Sequence, residues 1–287
     1  MGHFVRLEYL DLSHTRITGD VPSSIGNLSD LVYLDLAGCS ITGQIPPSVG
    51  NLTELEYLDL SSNNVVGSIP ETIGSMVQLE TLNLFDNSVA GQLPETMGRL
   101  RRLKSLDIAD NKLSGQLPTA MGDLCNLTLL DLSYNNIAGD LTDLLRGSSL
   151  LSLFMKDNNL SGIIPSSMGQ LSQLRLQQFM LDLSDNSFVG PISLSFAQTS
   201  DLYLLSLSRN QIDGGLPPFF CNMLSLQVLH LSYNLLYGEV PIYLQSLHLN
   251  SNNLSGKIPS FLKHCKQLIT LDFGDNKLSG KIPTWMG

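Results

Sequence analysis

Leu58-Asp59-Leu60 alternates apolar and polar residues, the period-two signature of a strand with one buried face. It belongs to a longer frame. Leu55-x-x-Leu58-x-Leu60-x-x-Asn63-x-Val65-x-Gly67-x-Ile69-Pro70-x-x-Ile73-Gly74 recurs as Leu79-x-x-Leu82-x-Leu84-x-x-Asn87-x-Val89-x-Gly91-x-Leu93-Pro94-x-x-Met97-Gly98. The chain holds twelve copies, marked at the asparagine slot by Thr15, Cys39, Asn63, Asn87, Asn111, Asn135, Asn158, Asn186, Asn210, Asn234, Asn252 and Asn276. The intervals are 24 five times, then 23, 28, 24, 24, 18 and 24.

Each part of the frame has a physical reading. The strand leucines point inward, and Glu56, Tyr57, Asp59 and Ser61 are expected on the opposite face. Asn63 ends the strand at a corner where a side-chain amide satisfies backbone groups, so stacked asparagines form a ladder that Cys39 joins as a substitute. Gly67 allows a tight turn, Pro70 fixes φ without needing an N–H, and Ile73 and Met76 return to the core. No repeat can bury its leucines alone, so neighbours stack into a solenoid with one parallel sheet. The expectation is an α/β-type repeat solenoid, a single elongated domain over 1–287, with irregular repeats near 141–150, 174–181 and 241–247. Insertions map to loops, so a local bulge is expected at 174–181.

The 24-residue unit with Gly-x-Ile-Pro, as in Ser40-Ile41-Thr42-Gly43-Gln44-Ile45-Pro46 and Leu278-Ser279-Gly280-Lys281-Ile282-Pro283, resembles the plant extracellular leucine-rich repeat over essentially the whole chain. The resemblance implies a horseshoe or arc with the sheet on its concave face. It also implies the ectodomain of a receptor-like protein in defence or developmental signalling, most like those of plant immunity, at the extracellular face of the plasma membrane. Such ectodomains bind a peptide or protein ligand and pair with a co-receptor kinase. The alternative it implies is a secreted polygalacturonase inhibitor, although such inhibitors carry cysteine-paired caps. Neither end of this chain shows a capping unit, so it reads as part of a longer ectodomain.

Composition narrows the function. The chain of 287 residues is 43% apolar and 15% charged, with 57 leucines and a net charge of −10, which disfavours a nucleic-acid partner. No run of roughly 18 apolar residues is present to span a membrane, and the first residues carry no secretory pattern. Cys39, Cys125, Cys221 and Cys265 form no Cys-x-x-Cys pair and read as small core or loop residues, so neither a zinc site nor a disulfide is expected. Asn27, Asn51, Asn126, Asn159 and Asn253 each head an Asn-x-Ser/Thr sequon and are the candidate glycosylation sites. The sequence has no phosphate-cradling glycine loop, His-Glu-x-x-His or Gly-x-Ser-x-Gly elbow, so no enzyme activity, cofactor or metal is expected.

Function then falls to the exposed strand positions. Their middle column is mostly aspartate, read as structural, with the carboxylates sharing hydrogen bonds with flanking serines. From the sixth repeat onward that face gains Tyr134, Phe154, Phe179, Tyr203, Arg209, His230, Tyr233 and His248, residue types that anchor interfaces, and these are the candidate ligand-binding residues. Ser206, His230, His248 and Asp272 fall in one column that mimics a catalytic set, but neighbouring parallel strands enclose nothing, and pH tuning by two adjacent imidazoles is the better reading. The basic run Arg99, Arg101, Arg102 and Lys104 reads as a solvated edge.

Overall fold

The computed structural model describes residues 6–286 except 146–148, 172–177, 200, 218, 221–222, 224, 239–245, 259, 261 and 263–267. Parts of the irregular repeats expected near 141–150, 174–181 and 241–247, namely 146–148, 174–177 and 241–245, lie outside the described residues, together with Cys221, Cys265 and Met1. Two compact units divide the chain, Met1–Leu150 and Leu151–Gly287.

The first unit carries six short parallel strands, Tyr9–Asp11, Tyr33–Asp35, Tyr57–Asp59, Thr81–Asn83, Ser105–Asp107 and Leu129–Asp131. Each pairs with the next in strict register, so Leu10, Leu34, Leu58, Leu82, Leu106 and Leu130 form one inward column. From Leu34 on, that column is at most 1% exposed. The second unit repeats the plan with Ser152–Phe154, Phe179–Asp182, Leu202–Ser206, Val228–His230, Ser246–His248 and Thr270–Asp272. A β-bulge lies in the strand after the insertion: Phe179 pairs with Leu202 and Met180 with Leu204, leaving Tyr203 as the extra residue.

The return path is built from 3₁₀ turns of five residues, such as Glu71–Ser75, where an α/β class would place α-helices. Proline is the extended N-cap of that turn, Pro70 at φ −72°, and of most of its counterparts, Ser193 taking its place before Leu194–Gln198, and the turn ends before α-helical bonding can take over. Gly74 explains the close stacking of successive turns: a Cβ there would lie 2.4 Å from the Thr96 backbone oxygen of the next repeat. Gly67, at φ +78°, sits where an L side chain is strained.

The asparagine ladder is present as expected. Asn63 Nδ2 donates to Leu60 O and Ser61 O at 3.0 Å and, one rung back, to Leu36 O at 2.9 Å. Its Oδ1 accepts the Ile41 N–H at 2.9 Å. Asn111, Asn186, Asn210, Asn234, Asn252 and Asn276 repeat the pattern. Cys39 substitutes weakly, its thiol donating to Leu12 O at 3.2 Å and Ala37 O at 3.6 Å.

Candidate functional site

The outward strand positions of the second unit fall into two columns. The third-residue column reads Phe154, Asp182, Ser206, His230, His248 and Asp272, neighbours paired in register. Beside it run Met180, Leu204 and Val228, all half-exposed. Phe154, His230 and His248 therefore stand on the sheet face, as expected.

Five candidates require correction. Phe179 is 1% exposed and belongs to the core, because Leu181 fixes the pleat and two residues back from an inward leucine is again inward. The outward residue there is Met180. Tyr203 is the half-buried bulge residue, and the regular outward position in its strand belongs to Leu204. The sequence reading therefore missed an apolar row, Met180–Leu204–Val228.

Tyr134, Arg209 and Tyr233 occupy the corner after the strand, not its face. They hold left-handed φ values of 56°, 54° and 57° in the step before the ladder asparagine. Arg209 lies 4.5 Å over the Tyr233 ring centroid, and its Nε is 3.6 Å from Asp185 Oδ1. Tyr233 remains exposed.

The two imidazoles meet edge to face, with ring centroids 4.5 Å apart and planes at 79°. Burial and then His248 push His230 below the usual histidine range, against the opposing pull of Asp182. His248 Nε2 lies 3.1 Å from Ser246 Oγ. Among the described residues, no three His, Cys, Asp or Glu side chains gather to hold a metal ion.

The first unit has its own face, where the sequence reading expected Tyr57 and Asp59 but not a tyrosine stack. Tyr9, Tyr33 and Tyr57 stack in register with centroids 4.3 and 4.4 Å apart and planes within 9°. The signal was the recurrence of Tyr-Leu-Asp every 24 residues. The aspartates act mainly through the backbone: Oδ1 of Asp35, Asp59 and Asp107 accepts the N–H two residues on, while Asp11 and Asp182 also bind a serine hydroxyl. Asp59, 6% exposed, also accepts from Tyr57 Oη and Asn83 Nδ2. In the basic run, Lys104 and Arg102 clamp Glu80 at 2.6 and 3.0 Å and hold its carboxyl below the usual range.

Of the sequon asparagines, Asn27 and Asn51 end 3₁₀ turns and are exposed, as is Asn159; Asn253 is half-exposed. Asn126 is exposed, but its amide donates to Arg101 O at 2.7 Å. Cys39 and Cys125 are free thiols. No helix among the described residues is long and apolar enough to cross a membrane.

The leucine-rich repeat region model matches residues 1–92, and the leucine-rich repeat models match 102–124, 123–140, 149–171, 201–223, 243–265 and 267–287. No curated protein matches the sequence. Among solved structures, the chain resembles the plant peptide hormone receptor RGFR1 in complex with RGF2: TM-score 0.76 and 28% identity, covering 100% of this chain and 54% of that one. It also resembles the ectodomain of the Arabidopsis receptor kinase HAESA in complex with an IDA peptide: TM-score 0.81 and 32% identity, covering 98% and 52%. A second HAESA structure, with IDA and the co-receptor SERK1, matches at TM-score 0.69 and 30% identity, covering 99% and 56%. The chain thus spans about half the length of the receptors it matches. With repeat, register and asparagine ladder all in place, the chain belongs to the leucine-rich repeat proteins, and its repeats are of the plant extracellular type.

Proposed function

We propose that the chain is a non-enzymatic ligand-recognition domain of a plant cell-surface receptor, binding a peptide or protein segment on the sheet face of its second unit. The carrying observation is the row Met180–Leu204–Val228 beside Phe154 and the His230–His248 pair. Strand positions that face solvent need no apolar side chains for folding; a contiguous row of them suits a partner that excludes water. The resemblance to receptors crystallised with peptides, one with its co-receptor kinase, supports this reading and a co-receptor partner for this chain. An extracellular setting would make the exposed sequons at Asn27, Asn51 and Asn159 usable for glycosylation. The role we assign is defence or developmental signalling, and the short repeat around Leu244 resembles those of receptor-like proteins of plant immunity.

Selection of dodecapeptides from a random displayed library on the whole chain provides the test, with affinities then measured for wild type and Leu204→Asp. Leu204 faces solvent, so a charge there leaves the melting temperature near wild type and weakens binding at least about tenfold. Affinity that is the same for both proteins would end the proposal. The same titration from pH 5 to 7.5 reads the histidine pair, flanked by Ser206 and Asp272 in neighbouring strands with Asp182 one strand beyond Ser206; His230→Gln should remove any shift.

A further inference from the structure

The three tyrosines of the first unit lie outside the surface just proposed, and their arrangement has a chemistry of its own. Tyr9, Tyr33 and Tyr57 hold the same position in neighbouring strands, paired in register. Their rings lie face to face, with centroids 4.3 and 4.4 Å apart and planes 9° and 6° from parallel. Tyr9 is 59% exposed and the other two are half-buried, so the stack opens to solvent. Folding does not call for phenols in this row. The core beneath is built of leucine, and Thr81, Ser105 and Leu129 fill the same position in the next three strands.

The inner two phenols each carry a proton acceptor. The hydroxyls of Tyr33 and Tyr57 donate to Oδ2 of Asp35 and Asp59 at 3.2 Å. Oδ1 of the same carboxylates is fixed by the N–H of Ala37 and of Ser61. Burial, then the charge of these carboxylates and the bond to them, push both phenols up, Tyr57 to about 12. Phenolate is therefore scarce near neutral pH. Such a ring gives up an electron most readily when its hydroxyl proton departs with it, and here the base stands ready.

The stack decides what a radical formed there does next. A phenoxyl radical carries spin on the ring carbons beside the oxygen, and it decays by joining a second phenoxyl through those carbons. A solitary surface tyrosine must wait for another molecule. Tyr33 has a neighbouring ring on either face. Coupling also requires one ring to turn from face to face into an edge-joined pair. Tyr9, the most exposed of the three, has room to turn. Tyr57 is tied to Asp59, which is 6% exposed and also accepts from Asn83 Nδ2.

We propose that Tyr9 and Tyr33 form an oxidative cross-linking site, joined as dityrosine by hydrogen peroxide acting through a haem peroxidase. Each phenol gives one electron to the peroxide and releases its hydroxyl proton, that of Tyr33 by way of Asp35. The peroxide takes up both electrons and both protons and leaves as two waters. One Cε–Cε bond forms between the rings. The hydrogen on each bonded carbon then moves as a proton to its own phenol oxygen, so both hydroxyls are restored. The product staples the first strand to the second, a junction otherwise held by packing and hydrogen bonds. It is independent of the second unit's apolar row, which Leu204→Asp alters and this site does not use.

The test treats the dilute whole chain with a haem peroxidase and hydrogen peroxide. Dityrosine fluorescence is read on the monomer, and the linked peptides are mapped by mass spectrometry. The wild type yields a monomer lighter by two hydrogen atoms, with the Tyr9 and Tyr33 peptides joined. Tyr9→Phe and Tyr33→Phe keep the rings and the fold and each lower the yield at least about tenfold. Tyr57→Phe stays within about twofold of wild type. Asp35→Asn still accepts the hydroxyl but takes up no proton, and it slows the reaction about tenfold with the link unmoved. The proposal is overturned if the monomer gains no dityrosine or if the link maps to another pair. It is equally overturned if Tyr33→Phe or Asp35→Asn reacts as fast as the wild type.

Discussion

Asp107 holds the third position of its strand, with Asp131 paired to it on one side and Asn83 on the other. Its Oδ1 accepts the Ala109 N–H at 3.1 Å, yet burial and the surrounding carboxylates push it up to about 6. A carboxyl whose folded value exceeds its unfolded value binds more protons when folded. Its stabilising effect is therefore complete below the unfolded value near 3.8 and is lost as pH rises through about 6. Asp107→Asn keeps the acceptor and removes the titration. Melting temperatures of the two proteins should be close at pH 4, with the variant the more stable at pH 7; parallel curves from pH 4 to 7 would refute the assignment. An aspartate column was plain in the sequence. That its members differ was not, because each one's state depends on ring, amide or carboxylate neighbours a full repeat away.

The ladder and the strand register are the elements from which each unit is assembled. An asparagine at the ladder slot serves three carbonyls and one N–H, whereas the Cys39 thiol offers two long bonds. Cys39→Asn should reach Leu12 O and Ala37 O with better donors, raising stability by about 1 kcal/mol in denaturant unfolding. A variant less stable than wild type would show that the slot's environment has adapted to sulfur. The ladder itself was legible, because Asn63 and its counterparts sit at one phase of a fixed frame. The register around the insertion was legible too, but only by counting parity from Leu181 and Leu205 and not by residue type. Aromatic character pointed to Phe179 and Tyr203, while the pleat and the Tyr203 bulge turn Met180 and Leu204 outward. Tyr134, Arg209 and Tyr233 were misplaced for a related reason: a left-handed corner follows each strand, and three residues past the aspartate column is already off the sheet.

At the scale of the molecule, one packing rule builds both units, since no repeat completes its core without the next. That rule is written in leucine, asparagine, glycine and proline at fixed spacing, which is why the fold and its family could be read before any coordinates. Recognition is written in the positions the rule leaves free, and those carry no period of their own. The central claim is that the second unit's strand face is the binding surface. It is tested most directly by photo-crosslinking a library-selected peptide bearing benzophenone to the wild-type chain and mapping the adducts by mass spectrometry. Adducts at Met180, Leu204, Val228 and His230 are predicted. Adducts confined to return turns such as Leu194–Gln198, with the strand face unmarked, would contradict it.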